Sequence, residues 1–170
     1  NVTASFAINR HTLKVASGTG SGEFDWNSTV PIIANATTGY TFTGWTGAGI
    51  TNPGDANATV LMTEDRNVTA TFQINSYSLI VSANGEGDAV SDSATHDYGT
   101  QATITATPQT GYSFIGWSGE GIADPNASTT TVDMTQDRNV SASFAIDSHT
   151  LIVASGTGSG EFDWNSTVPI

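Results

Sequence analysis

Apolar and polar residues alternate in short runs along much of this chain. Val68, Ala70, Phe72 and Ile74 alternate with three polar residues, and residues 140–146 repeat the pattern. Residues 30–34 and 102–107 alternate in the same way. A period of two residues is typical of a strand with one buried face. We therefore predict about five short, mostly antiparallel strands per repeating segment.

Helical periodicity is absent from every window of useful length. The abundant Gly, Thr, Ser and Asn residues disfavour helix interiors, whereas Thr, Val, Ile and aromatic residues suit strands. We expect at most one short helical turn per repeat, after Trp45 or Trp117. The predicted fold class is mainly β, with small antiparallel β-rich units in tandem.

The alternating runs belong to a sequence repeat. GYTFTGWTG at residues 39–47 returns as GYSFIGWSG at 111–119, and NVTASF at 1–6 returns at 67–72 and 139–144, with spacings of 66 and 72 residues. The shorter spacing reflects a first loop (residues 16–25) that is shorter than its counterpart (82–97). We predict four segments: the last strand of a preceding repeat (1–8), a short repeat (9–74), a long repeat (75–146) and the first part of a third repeat (147–170).

Successive repeats are joined almost directly. Only Asn75 and Ser76 separate Ile74, at the end of one repeat, from the next apolar residue, and no Pro-rich or Gly/Ser-rich linker lies there. We therefore expect an elongated, stiff rod that forms part of a longer array. Residues 1–8 could alternatively complete a sheet in a neighbouring chain, because few Lys or Pro residues guard the strand edges.

The repeated aromatic motif is the candidate core of each repeat. Strict alternation places Tyr40 and Phe42 on one face and Trp45 on the other. Either Gly44 marks a bulge that returns the tryptophan to the core, or the tryptophan faces outward and stacks on a sugar or a neighbouring repeat. We favour core or inter-repeat packing. The same alternatives apply to Tyr112, Phe114 and Trp117, and to the aromatic residues before the central strand, Trp26, Tyr98 and Trp164.

Composition excludes several classes of function. The formal net charge is −12 and only four residues are basic, which argues against nucleic-acid and anionic-membrane partners. The absence of cysteine excludes disulfides, thiolate metal sites and cysteine nucleophiles. No apolar run is long enough to span a membrane, so we predict no membrane insertion in this segment.

Eight asparagines head an N-x-[ST] sequon and are candidate N-glycosylation sites. In an archaeal or eukaryotic surface protein these would be glycosylated, whereas in most bacteria they would be ordinary turn asparagines. Because the repeats duplicate positions, about five of them are independent. The eight are Asn1, Asn27, Asn35, Asn57, Asn67, Asn126, Asn139 and Asn165.

No catalytic, cofactor or metal site is predicted. The acidic and Asn-rich loops lack the fixed oxygen spacing of a Ca²⁺ site and suit Asx turns. Residues 18–22 lack the Lys and following helix of a phosphate loop and are predicted to form a hairpin loop. Three isolated histidines form no recognisable catalytic arrangement. The residues considered are Asn52, Asp55, Asn57, Asp88, Asp92, Asp124 and Asn126, and His11, His96 and His149.

The order G-Y-x-F-x-G-W-[ST]-G-x-G-I, then N/D-P, then D-R-N-V-[ST]-A-[ST]-F resembles the divergent internalin-B-type B-repeat family, which is related to the Listeria–Bacteroides repeats. The resemblance covers two complete repeats and part of a third. It implies a small β-rich, β-grasp-like fold, repeated in tandem in large secreted or surface-anchored microbial proteins. It also implies a stalk, spacer or adhesive role.

From these observations we predict a non-enzymatic, extracellular structural repeat, a stalk or filament segment of a microbial surface protein. Its partners would be neighbouring repeats or copies of itself in a fibre. Two alternatives stay open: an adhesin or carbohydrate-binding module that presents exposed aromatic residues to glycans or a neighbouring surface, and a filament subunit that donates a strand.

Overall fold

A computed structural model describes residues 1–92 and 94–168. Ser93 in the longer loop, and Pro169 and Ile170 at the end of the predicted third repeat, lie outside the described residues. The chain divides into two compact units, Asn1–Asn75 and Ser76–Ile170.

The first unit contains seven strands in two sheets. One sheet has the strand order β2-β1-β7-β4 and the other the order β3-β6-β5. The strands are β1 (Arg10–Ala16), β2 (Gly22–Asp25), β3 (Ser28–Ile33), β4 (Tyr40–Thr46), β5 (Ile50–Thr51), β6 (Asn57–Met62) and β7 (Arg66–Ile74).

The second unit repeats the order of the four-stranded sheet, but its three-stranded sheet differs, because β9 pairs with β11 at one edge whereas β5 of the first unit pairs with β6 at the other. The second unit also has a short β15–β16 hairpin. Its four-stranded sheet has the order β10-β8-β14-β12, its three-stranded sheet the order β13-β11-β9, and β15 pairs with β16. The strands are β8 (Ser76–Asn84), β9 (Gly87–Ser91), β10 (Thr95–Asp97), β11 (Thr100–Pro108), β12 (Tyr112–Ser118), β13 (Thr129–Met134), β14 (Arg138–Ile146), β15 (Ser148–Leu151) and β16 (Gly160–Asp163).

The core of each unit draws alternate residues from both of its sheets. The first core contains Leu13, Val30, Ile32, Ala34, Trp45, Ala58, Val60, Met62, Val68 and Ala70. The second contains Leu79, Ala102, Ile104, Ala106, Trp117, Val132, Met134, Val140 and Ala142. The period-two pattern that predicted the strands is therefore the pattern of burial, because successive side chains of a strand point to opposite faces.

The predicted fold class, a mainly β tandem repeat, is confirmed. Two details of the prediction are wrong. No helical turn follows Trp45 or Trp117, because Gly47 (φ +131°), Gly119 (φ +128°) and nearby glycines bend the chain tightly instead. The strands are also more numerous than five per repeat, since the first loop of each repeat ends in a strand, β2 or β10.

Candidate functional site

The first and last strands of each repeat lie side by side and run parallel. In the short repeat, residues 13–16 of β1 pair with 66–69 of β7. In the long repeat, residues 79–84 of β8 pair with 138–143 of β14. The other strand pairs of the described residues are antiparallel. We call each parallel pair the terminal-strand ladder; it has four residue pairs in the short repeat and six in the long one.

An aspartate at the preceding turn ties each ladder at its start. The backbone N–H of Thr12 donates to Oδ1 of Asp65 at 2.7 Å. In the long repeat, the N–H and the hydroxyl of Ser78 both donate to Oδ1 of Asp137, at 2.8 and 3.0 Å. Each bond crosses from the first strand to the turn before the last strand, so it fixes where the ladder begins.

The arginine after this aspartate anchors the turn in each repeat. Both guanidinium groups are mostly buried and lie beside an exposed glutamate, at 2.6 Å for Arg66 and Glu64 and 3.3 Å for Arg138 and Glu120. Nε of Arg138 donates to the carbonyl of Asp133 at 3.1 Å. Nε of Arg66 is buried and has no such partner in the described part of the chain. The turn of the long repeat is therefore the better satisfied of the two.

A bulge turns the motif tryptophan into the core of each repeat. The register of β4 against β7 shifts between Phe42 and Gly44, and that of β12 against β14 shifts between Phe114 and Gly116. Trp45 is 5% exposed and Trp117 6%. Each indole N–H donates to a loop carbonyl at 3.1 Å, that of Asp55 or of Ala127. Burial of the ring and satisfaction of its donor leave neither tryptophan available as an outward ligand platform.

The other motif aromatics lie progressively farther from the core. Phe42 and Phe114 are half-buried, with ring centroids 5.9 and 6.0 Å from those of Phe72 and Phe144. Tyr40 is 44% exposed, and Tyr112 is half-buried. Tyr40 and Tyr112 do not belong to either core cluster, because each follows a glycine turn at the edge of its sheet.

The residue that joins one repeat to the next is held by hydrogen bonds. The N–H of Asn75 donates to the carbonyl of Gly39 at 2.8 Å, and the hydroxyl of Thr41 donates to its side chain at 2.6 Å. Asp147 repeats the first bond with Gly111 at 2.8 Å and accepts from the hydroxyl of Ser113. These contacts come from Gly39 and Thr41 in the short repeat and from Gly111 and Ser113 in the long one. We call this part of the motif the GY corner.

The aromatic residue before the central strand contacts the same junction. The N–H of Trp164 donates to the carbonyl of Asp147 at 2.7 Å, and its ring lies so close to Gly111 that a Cβ there would be 2.3 Å from Cδ2. Trp26 makes the same backbone bond to Asn9 at 2.7 Å. Trp26 and Trp164 are nevertheless exposed, whereas Tyr98 is half-buried beside Tyr77.

The sequon asparagines are all exposed but have different backbone settings. Asn27 and Asn165 have φ values of 63° and 59°, at a turn position where the long repeat has Gly99 (φ 78°). That conformation explains the asparagines there, since Asn and Gly tolerate it best. Asn57, Asn67 and Asn139 lie in strands, Asn126 lies in a turn, and Asn1 and Asn35 lie in segments without regular structure.

The loops at Asp55 and Asp124 form Asx turns, whereas Asp92 bonds to a distant strand. The N–H groups of Asn57 and Asn126 donate to Oδ1 of Asp55 and Asp124, each at 2.9 Å. Asp92 accepts from the N–H of Thr103 at 3.1 Å. No group of three or more potential metal ligands occurs among residues 1–92 and 94–168.

Two of the three histidines lie close to a carboxylate, which the sequence did not indicate. Nδ1 of His11 is 3.6 Å from Oδ1 of Asp65, and Nε2 of His96 is 3.5 Å from Oδ1 of Asp92. His149 is exposed in β15. His11 is replaced by Tyr77 in the long repeat, so its carboxylate pair is not a feature that the two repeats share.

The sequence matches a known protein family. The family model described as the divergent InlB B-repeat domain matches residues 11–76 and again residues 77–148, which confirms the resemblance seen in the sequence. The comparisons with curated proteins and with solved structures find no match. Repeats of this kind occur in surface-associated bacterial proteins, and no helix in the described part of the chain could cross a membrane. The two matches cover well over half of the sequence, and the chain belongs to the divergent InlB B-repeat family.

Proposed function

We propose that this chain is a non-enzymatic, load-bearing segment of a stalk or filament at a microbial cell surface. The observation that carries the proposal is the terminal-strand ladder of each repeat. Tension along a tandem array enters a repeat at the start of its first strand and leaves at the end of its last strand. Those two strands are hydrogen-bonded neighbours.

The parallel direction of the ladder determines how it responds to that tension. The entry point on β1 and the exit point on β7 lie at opposite ends of a parallel pair, so pulling slides one strand along the other. All ladder bonds are then loaded together. In an antiparallel terminal pair, the two points would lie at one end and the bonds would break one after another. The ladder therefore suits a repeat that must stay folded under load.

The junctions support the same role. A single residue, Asn75 or Asp147, lies between consecutive strands of adjacent repeats, and its N–H is bonded to the preceding GY corner. Such a junction contains no slack residues that would extend before the ladders are loaded. The buried Trp45 and Trp117 also favour a structural role over glycan binding by these rings.

Single-molecule pulling in two directions tests the proposal. Because the chain has no cysteine, handles attach only where cysteines are introduced. The pair Arg10→Cys and Gln73→Cys slides the short ladder, whereas Ala16→Cys and Thr69→Cys pulls apart two paired residues at one end of it. We expect a clearly higher unfolding force for the first pair. Equal forces in both directions would contradict a load-bearing ladder.

A second candidate function is strand donation, which a separate observation supports. Residues 1–8 match β7 and β14 in sequence, yet Val2 and Phe6 are 103% and 95% exposed and the segment pairs with no described strand. We propose secondarily that it adds to a sheet of a neighbouring copy. Deleting residues 1–8 should then abolish self-association in light scattering. Unchanged association would exclude this candidate, and a single very long chain in intact mass spectrometry of native material would favour the continuous stalk.

A further inference from the structure

The two repeats differ most at the free edge of their three-stranded sheets. In the long repeat, β9 covers this edge by pairing with residues 104–108 of β11. β9 also covers an aromatic ring of the other sheet, because a Cβ at Gly87 would lie only 2.6 Å from Cζ of Phe144. Both the strand edge and the Phe144 ring are thus occupied by the chain itself.

The short repeat lacks this strand and has a cleft beside the corresponding ring. One bridge, Thr19 with Ile33 (2.9 and 3.2 Å), replaces the β9 ladder. The cleft measures about 540 Å³, within the range of roughly 300–1,000 Å³ that holds small ligands. Tyr40 and Phe72 supply its aromatic surface, and Ser17, Thr19, Asn35 and Thr37 supply hydroxyl and amide groups.

A sequon borders this cleft. Asn35-Ala36-Thr37 places both the acceptor asparagine and the hydroxyl residue of the sequon in the lining. The corresponding residues of the long repeat are Thr107-Pro108-Gln109, which form no sequon. Of the two complete repeats, only the one with the cleft has an asparagine to modify there.

We propose that Asn35 carries an N-linked glycan whose first sugars lie in this cleft, over Tyr40 and Phe72. A sugar presents C–H faces that pack on aromatic rings and hydroxyls that bond with Ser and Thr side chains, and the cleft supplies both. The glycan would cover the surface that β9 covers in the long repeat.

The covalent step needs a lipid-linked oligosaccharide phosphate as donor and a transferase outside this chain. Nδ2 of Asn35 attacks the anomeric carbon, and a new C–N bond forms. The C–O bond to phosphate breaks, the lipid phosphate leaves with the electron pair, and the amide nitrogen loses one proton to a base. The inference requires export, as the proposed function does, and a source that glycosylates sequons on its surface proteins, such as an archaeon or a eukaryote. It does not require that the repeat bear load.

Glycopeptide mass spectrometry of the full chain, secreted from a eukaryotic host, tests the proposal. We expect Asn35 to be occupied and its glycan to be trimmed by an endoglycosidase several-fold more slowly in the folded than in the denatured chain. Tyr40→Ala, an exposed change, should remove most of that protection. Asn35→Gln should lower the melting temperature of the glycosylated protein by a few degrees, whereas Asn126→Gln, at an exposed turn of the long repeat, should not.

Two results would overturn the proposal: an unoccupied Asn35, or an Asn35 glycan trimmed equally fast in folded and denatured chains. The unfolding forces of the ladders would be unaffected by either result. Failure of this inference is therefore distinguishable from failure of the proposed function.

Discussion

The short and long repeats have nearly the same core. They differ in the segment that follows their first strand and in their terminal-strand ladder. Leu13, Trp45 and Val68 correspond to Leu79, Trp117 and Val140, and all six are buried. The long repeat has six more residues, between the positions of Ala16 and Asp25 in the short one. With them it gains β9 and a ladder of six pairs instead of four.

This difference shows which parts of the repeat can vary. The core motif and the junction accept little change, since both repeats use the same bulge, the same indole hydrogen bond and the same bond at the GY corner. The segment after the first strand, residues 16–25 or 82–97, varies because it covers the edge of a sheet rather than filling the core. Three pairs of substitutions test whether the two repeats differ in this way.

Substitutions in the shared core should cause the greatest loss of stability. Trp45→Ala and Trp117→Ala each remove a buried ring, and each should lower the free energy of unfolding of its own repeat by about 3–5 kcal/mol. Denaturant unfolding measures this loss, and near-equal values are expected because the two environments match. A loss below about 1 kcal/mol for either tryptophan, typical of a surface substitution, would contradict equivalent cores.

An intermediate effect is expected from β9, the strand that only the long repeat has. Gly87→Ala introduces a methyl group against the Phe144 ring and should destabilise the long repeat by about 1–3 kcal/mol through overpacking. Gly54→Ala in the short repeat is the matched control, because no atom lies within 4 Å of its Cβ position. Thermal unfolding measures the change in stability that each substitution causes. Equal changes for the two variants would mean that β9 does not rest on Phe144.

The smallest effect is expected at the aspartates that start the ladders. Asp65→Ala removes one hydrogen bond and the 3.6 Å contact with His11, whereas Asp137→Ala removes two hydrogen bonds, from the N–H and hydroxyl of Ser78. We expect losses of about 0.5–1.5 kcal/mol per bond, reduced by solvent at these exposed sites, and a larger loss in the long repeat. Chemical denaturation provides the measurement, and a larger loss for Asp65→Ala would reverse the predicted order.

Local patterns predicted the strands well because alternation reports burial directly. Residues 68–74 and 140–146 lie in the strands that alternation predicted, and the glycine before the tryptophan marks the bulge that was one of two alternatives. The exposure of Tyr40 was harder to predict, since it depends on a turn conformation rather than on the alternation of apolar and polar residues.

The terminal-strand ladder could not be predicted in this way. It joins Leu13 to Arg66 and Leu79 to Arg138, residues far apart in sequence whose pairing direction no local period records. The cleft beside Asn35 was equally hidden, because it results from a strand that one repeat lacks. The sequon was visible in the sequence, but not its aromatic neighbours Tyr40 and Phe72.

Single-molecule stretching of the whole chain from its ends would show whether the ladders carry the load, because one trace compares both ladders under the same load. We expect two main unfolding events, the weaker from the four-pair ladder of the short repeat and the stronger from the six-pair ladder of the long one. Trp45→Ala should lower only the weaker event and so identify it. Equal forces, or a stronger short repeat, would contradict the claim that these ladders bear the load.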